Sequence, residues 1–174
     1  AGWTGGIEGA PPVWYHVEMD GPCTVQPIKP GGFGIMNAVI QSLLNHRSIR
    51  AFSDKPVEEE HLRTILLAAQ AAPNWINGQQ VSVIVVRDSA RKAKLAELCN
   101  RQKHIEQAPV FLVFCIDFYR LRLAGEMERM APGALEEDLD PLLVGATDVG
   151  IALGTAVAAA ESLGLGTVPI GSIR

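Results

Sequence analysis

The sequence predicts one domain of mixed helices and strands behind a glycine- and proline-rich arm, and three observations predict it. The chain has 174 residues, enough for a single compact domain with a sizeable core. Beyond residue 36, apolar residues recur at helical spacing in several stretches. Between those stretches lie two short apolar runs, "VSVIVVR" and "PVFLVFCID", of the kind that form buried strands.

Each element follows in order. Residues 1–35 hold eight of the 17 glycines and five of the 11 prolines, with no apolar period. Such a stretch buries too little surface to offset its ordering entropy. It is read as a disordered or non-native N-terminal extension, with Met36 as the natural start; a native flexible arm is the alternative. After Met36, Val39, Ile40, Leu43 and Leu44 fall on one helical face. A second helix is predicted over 58–72, with Leu62, Ile65, Leu66 and Ala69 inward, Glu58 at its cap position and Pro73 as its stop. "APNWINGQQ" reads as a polar loop with turn chemistry at Asn77-Gly78. "VSVIVVR" (81–87) is a predicted buried strand. Asp88 caps a helix, "SARKAKLAELC", that Asn100 can close in the left-handed conformation. "PVFLVFCID" (109–117) is the second buried strand. Residues 120–138 read as a charged, irregular excursion, 139–163 as a long Ala/Gly helix, and the remainder as loop and strand.

Composition narrows the function classes. A net charge of −4 with interspersed signs argues against a nucleic-acid surface, though not against a local cationic pocket. The three cysteines, Cys23, Cys99 and Cys115, are widely spaced and form no Cys-x-x-Cys pair, so reduced thiols are expected. With no leader pattern evident in the opening residues, the expected location is the cytoplasm. Residues 141–160 are long enough to span a membrane and contain a G-x-x-x-G spacing at Gly150 and Gly154. Asp148 in mid-segment costs about 3 kcal/mol on insertion scales, and Ala and Gly compensate little. No membrane association is expected.

The segment "LLNHRSIRAF" (43–52) carries the most pointed chemistry. His46, Arg47 and Arg50 surround the hydroxyl of Ser48 where an apolar helix ends. One reading is cations placed against a helix C-terminus; the other is a phosphate cradle of guanidinium forks. Gly164 and Gly166 follow a helix rather than a strand and lack a third glycine, so no dinucleotide turn is read there. Glu58, Glu59 and Glu60 suit a helix start better than catalysis. His61 and His104 have no second ligand at helical spacing, so no metal site is expected. No G-x-S-x-G or related nucleophile motif occurs. An enzyme of this sequence needs a cofactor to carry its chemistry, and no side chain is assigned a catalytic role. The polar loops at 46–50, 74–80, 100–104 and 168–172 are the places to hold one: amides such as Asn77 and Gln102 both donate and accept, and Gly171 permits close backbone approach.

"MNAVIQSLLNHRSIRAFSDKPV", "INGQQVSVIVVRD", "QAPVFLVFCIDFYR" and "GIALGTAVAAAESLGLGTVPIG" together resemble the nitroreductase family, in its NAD(P)H-dependent FMN reductase and oxygen-insensitive nitroreductase branch. The resemblance covers 36–174, read as an FMN-binding domain incomplete at its C-terminus because relatives continue well past the position of Arg174. It implies an α+β sandwich, a mainly antiparallel sheet flanked by helices, built as an intertwined homodimer with FMN at the subunit interface. By resemblance His46, Arg47, Ser48 and Arg50 grip the flavin phosphate and ribityl chain, and Asn74 and Asn77 approach the isoalloxazine. Gln102, in a Gly-Gly-Gln-like turn whose glycines are here Asn100 and Arg101, reaches the pyrimidine end. Pro169, Ile170, Gly171 and Ser172 form a strip beside the ring. The implied activity is ping-pong hydride transfer from NADPH or NADH through FMN to free flavins, quinones or nitroaromatics. A non-catalytic flavin-binding or dimerisation fragment is the alternative, and reductive dehalogenation a third.

Overall fold

A computed structural model of the chain describes residues 15–17, 25–27, 37–130, 133, 135 and 137–172. The chain divides into two units, 1–38 and 39–174. In the first, β1 (Tyr15–Val17) pairs antiparallel with β2 (Val25–Pro27). The rest of the predicted N-terminal extension, with Cys23, lies outside the described residues, as does Met36.

The second unit is helical around one antiparallel strand pair. α1 (Ala38–Leu44) forms where the periodicity predicts it, yet Val39, Leu43 and Leu44 remain more than half exposed. α2 (Glu59–Gln70) buries Leu62, Ile65 and Ala69, with Leu66 half-buried, as its i, i+3, i+7 pattern requires. Glu58 sits at the cap position without a side-chain cap bond, so its contribution is to the helix dipole. β3 (Val81–Val86) pairs with β4 (Phe111–Ile116), Val81 opposite Ile116 through to Val86 opposite Phe111. Between them run α3 (Ser89–Leu98) and α4 (Lys103–Gln107). Asp88 caps α3 by accepting from Arg91 N at 2.8 Å, and Asn100 takes φ 60°, as expected. Ala96, Cys99 and Ile105 close a small core there, against which Ile170 packs.

α6 (Leu139–Ser162) is the organising helix. Ala156 and Ala160 lie against Ile65 and Ala69 of α2, small side chains allowing the two helices to close up. Further along, a Cβ on Gly145 would stand 2.7 Å from Ile116 Cγ2, so the close approach of α6 to the end of β4 depends on a glycine. α6 ends in a left-handed glycine cap: Gly164 at φ 78° donates to Glu161 O, and Leu165 N donates to Ala160 O, both at 3.0 Å. Although α6 is long and apolar enough to cross a membrane by length and composition, one face is packed on protein.

Three expectations need correction. The strands are half-buried rather than buried, with Ile84 53 % exposed, because the pair has only two strands among the described residues. The supposed irregular excursion contains α5 (Tyr119–Met127), its start held by Asp117 Oδ1 accepting from Tyr119 N at 3.1 Å. The stretch 164–172 forms no strand among the described residues, only an isolated parallel bridge between Thr167 and Ser48.

Asp117 joins β4 to α5 and β3. The Ser82 hydroxyl donates to its carboxylate and holds its pKa below the ordinary value, aided by Tyr119 N–H and Arg120 against the opposing effect of burial. A carboxyl depressed in the folded state contributes stability that is present above the unfolded pKa of about 3.9 and lost as pH falls below it. Asp117→Asn is expected to lower stability at pH 7 and to flatten the acid limb of the stability–pH curve, measurable by urea melts between pH 7 and 3.

Candidate functional site

Two structural units carry the candidate residues. The first begins at the C-terminus of α1. His46 Nδ1 lies 2.6 Å from Glu161 Oε1. A carboxylate only accepts, so Nδ1 carries the proton and Nε2 is the nitrogen left to a ligand. Thr167 Oγ1 donates to the same Glu161 oxygen at 3.2 Å, and Ile49 N donates to Thr167 O at 2.8 Å. The 46–50 segment thus lies along 165–167, so close that a Cβ on Gly166 would be 2.9 Å from Ile49 Cγ1. Arg47 and Arg50 stay exposed; Arg47 Nη1 donates to His46 O, while the Arg50 guanidinium has no partner among the described residues.

From Thr167 the chain runs on to Ser172. There Gln102 Nε2 donates to Ser172 Oγ at 2.7 Å and to Cys99 O at 2.9 Å. Thr167 and Ser172 are five residues apart, a reach of at most about 18 Å. One strip therefore connects a cationic end, at 46–50, to an amide end, at Gln102. Along it, Pro169 borders an apolar groove with Leu43, His46, Gly150 and Gly154. Gly171 is exposed with open space where a Cβ would stand. The Ile170 side chain packs inward on Ala96, Cys99 and Ile105, so at this position the backbone is what the strip presents. Gln102 depends on a turn in which Asn100 (φ 60°) and Arg101 (φ 55°) are both left-handed. Both positions thus hold non-glycine residues in a backbone conformation that glycine suits.

The second unit is the loop 74–80. Its central turn, Trp75–Asn77, and Gln79 place three non-glycine residues at positive φ: Ile76 (46°), Asn77 (57°) and Gln79 (54°). The expected turn at Asn77-Gly78 is present, with Asn77 left-handed and Gly78 N donating to Trp75 O, but Gly78 itself, at φ −67°, does not use glycine's freedom. Gln79 N donates to Asn74 Oδ1 at 3.2 Å, and Gln79 Nε2 donates to Asn77 Oδ1 at 2.7 Å. Both asparagines have their acceptor oxygens engaged, and their Nδ2 donors remain.

Asn74 lines a cavity of about 310 Å³ with Gln79, Ser82, Arg120 and Asp148. Asp148 is 4 % exposed, accepts from Trp75 N at 3.2 Å, and accepts from Gln80 Nε2 at 2.9 Å. Neither Asp148 nor Glu161 belongs to a sequence motif that marks it as part of a site. The signal is instead that a lone carboxylate in an Ala/Gly helix must find donors if it is buried. No group of three or more potential metal ligands occurs among the described residues.

The residues suit FMN as a ligand. Two exposed guanidiniums and a hydroxyl on one segment match a phosphate. Amide donors at Asn74 and Asn77 match ring carbonyl and nitrogen acceptors. Gln102, with both amide hydrogens used, offers Oε1 to a ring N–H.

The Nitroreductase family model matches residues 43–174. An FMN reductase [NAD(P)H] of Bacillus subtilis is 57% identical over 139 residues, which are 80% of this chain and 56% of that protein. An NADPH-flavin oxidoreductase of Vibrio harveyi is 39% identical over the same length, 80% of this chain and 55% of the relative. Among solved structures, that of B. megaterium NfrA2 superposes with a TM-score of 0.78 at 52% identity, covering 80% of this chain and 56% of that one. The NADPH:FMN oxidoreductase of Vibrio harveyi complexed with NAD+ gives 0.73 at 38% identity, covering 79% and 57%. The chain thus spans little more than half the length of these relatives. The α+β class holds.

Replacing Arg101 by glycine is expected to stabilise the chain by about 0.5–1 kcal/mol, relief of left-handed strain exceeding the entropy cost of an added glycine. A urea titration of Arg101→Gly against the parent measures it.

Proposed function

Since the chain belongs to the nitroreductase family, we propose that it is the FMN-binding part of an NAD(P)H-dependent oxidoreductase acting on free flavins, quinones or nitroaromatics. The observation that carries this reading is the bonded strip from Arg47, Ser48 and Arg50 through 167–172 to Gln102. Arg47, Ser48, Arg50 and His46 Nε2 would hold the phosphate. Asn74 and Asn77 would donate to the ring edge, Gln102 would accept from it, and the backbone at Gly171 would lie beside it. When bound, FMN supplies the hydride chemistry, taking two electrons from a nicotinamide and passing them to the acceptor. The chain's own part is orientation and electrostatic support rather than an obligatory acid or base. The names of the relatives, FMN reductase and NADPH-flavin oxidoreductase, support this assignment.

Arg50→Ala is expected to weaken FMN binding about tenfold or more, the scale of one charge-assisted hydrogen bond. The test is a visible-absorption titration of the chain with FMN, followed by NADPH under anaerobic conditions. Bound-flavin bands that bleach on reduction support the assignment. Unchanged FMN affinity in Arg50→Ala counts against the phosphate grip. Since the chain spans just over half the length of its relatives, bound FMN without NAD(P)H oxidation would favour the second reading, a flavin-binding fragment without its own activity.

The reading includes a cytoplasmic homodimer. The dimer is supported by the exposed apolar face of α1 and by the groove where Leu43 faces Gly150, Leu153, Gly154 and Val157 of α6. A Cβ on Gly154 meets nothing within 4 Å in the single chain. Gly154→Leu is therefore expected to leave the subunit folded and shift the protein to monomer, as read by light scattering.

A further inference from the structure

We infer that Asp148 is a positioning residue that clips the 74–80 loop into its strained form. The inference rests on the reading above only for its consequence, that the clipped loop aims Asn74 and Asn77 at the flavin.

The geometry is that of a staple. One carboxylate, buried in α6, holds the loop at both ends: its two oxygens each lie 3.2 Å from Trp75 N, and Oδ2 accepts from Gln80 Nε2 at 2.9 Å. Gln80 is itself 2 % exposed, and its backbone carbonyl accepts from Asp117 N at 2.9 Å, which fixes that end to the strand pair. Between the two ends stand the left-handed Ile76, Asn77 and Gln79. A β-branched residue such as Ile76 is seldom found in that region, and such strain persists only where the surroundings over-determine the backbone. Packing does not supply that constraint from outside, since Trp75 is 52 % and Ile76 71 % exposed. The loop's own bonds, Gly78 N to Trp75 O at 2.8 Å and Gln79 to Asn74 and Asn77, shape the turn without tying it to the core. The tie to α6 is Asp148. An apolar residue would fill the same space between α6 and the loop, at the cost of leaving the buried donors it faces unpaired. What an apolar residue cannot do is accept from Trp75 N and Gln80.

Three chains of nearly equal side-chain shape separate the two roles: the parent, Asp148→Asn and Asp148→Leu. Asparagine can still accept from Trp75 N while the Gln80 amide turns over to accept from it; leucine fills the space and accepts nothing. Hydrogen exchange of the 74–80 peptide is the primary readout, with peptides from α2 and the β3–β4 pair as internal reference. Asp148→Leu is expected to speed exchange in the loop about tenfold or more, the scale of losing hydrogen bonds to a charged group. Exchange in the reference peptides stays unchanged, and Asp148→Asn stays near the parent. FMN titration of the same proteins is expected to show weakened binding in Asp148→Leu only. Unchanged loop exchange in Asp148→Leu overturns the inference, as does equal acceleration of loop and reference peptides. If the parent binds no FMN, the functional reading fails by itself, while the exchange comparison still decides the clip.

Discussion

α6 is almost wholly apolar past its first turn, yet it carries two carboxylates, Asp148 and Glu161, and each must be supplied with donors. Withdrawing a carboxylate from water costs several kcal/mol unless hydrogen bonds replace the lost hydration. That constraint decides what folds against the helix at two points thirteen residues apart, about 20 Å along its axis. Asp148 draws in Trp75 N and the Gln80 amide; Glu161 draws in His46 and Thr167. The two candidate binding segments are thus placed by one rigid element, although they lie far apart in sequence.

The intervening face of α6 serves packing. Ala152, Ala156 and Ala160 are buried, and the last two receive Ile65 and Ala69 of α2. Gly145 lets Ile116 approach, which brings the end of β4, and with it Asp117 and α5, up to the helix. Close packing and polar anchoring therefore act together: small side chains set the distance, and the carboxylates set which loop segments are held there. The opposite face, with Gly150 and Gly154 beside Leu153 and Val157, borders a groove shared with Leu43 and Pro169.

The site loops share a second property. Positive-φ residues that are not glycine cluster in them: Ile76, Asn77 and Gln79 in one, Asn100 and Arg101 in the other. In both, a side-chain amide is aimed by the strained backbone, and its spare hydrogen-bonding capacity is set by internal bonds. Asn74 and Asn77 are left with donors, Gln102 with an acceptor. In the proposed reading these groups meet a flat heterocycle with carbonyls and an N–H on one edge, and the exposed guanidiniums at the other end of the strip meet its phosphate.

Much of this was legible in the residues alone. The apolar period of 62–69, the Asp88 cap, the left-handed Asn100 and the glycine stop after α6 are local features, dictated by side-chain spacing and backbone preference within a few residues. The motifs of 36–174 also point to the family, because type and order of residues suffice for resemblance. α5 went unread because it buries none of its residues, so its apolar and charged positions give a weak periodic signal, and the bond at its start, Tyr119 N donating to Asp117 Oδ1, comes from a residue before the helix. The half-buried state of β3 and β4 depends on how many neighbours the strands have, which no strand can state about itself. The strain at Ile76 rather than Gly78 was likewise unreadable, since local propensity favours the reverse. The sequence by itself determined the elements, their order and the chemical types able to meet a flavin. Only the tertiary structure decided which donors Asp148 and Glu161 capture, because that choice depends on desolvation inside a packed core rather than on anything near either residue in the chain.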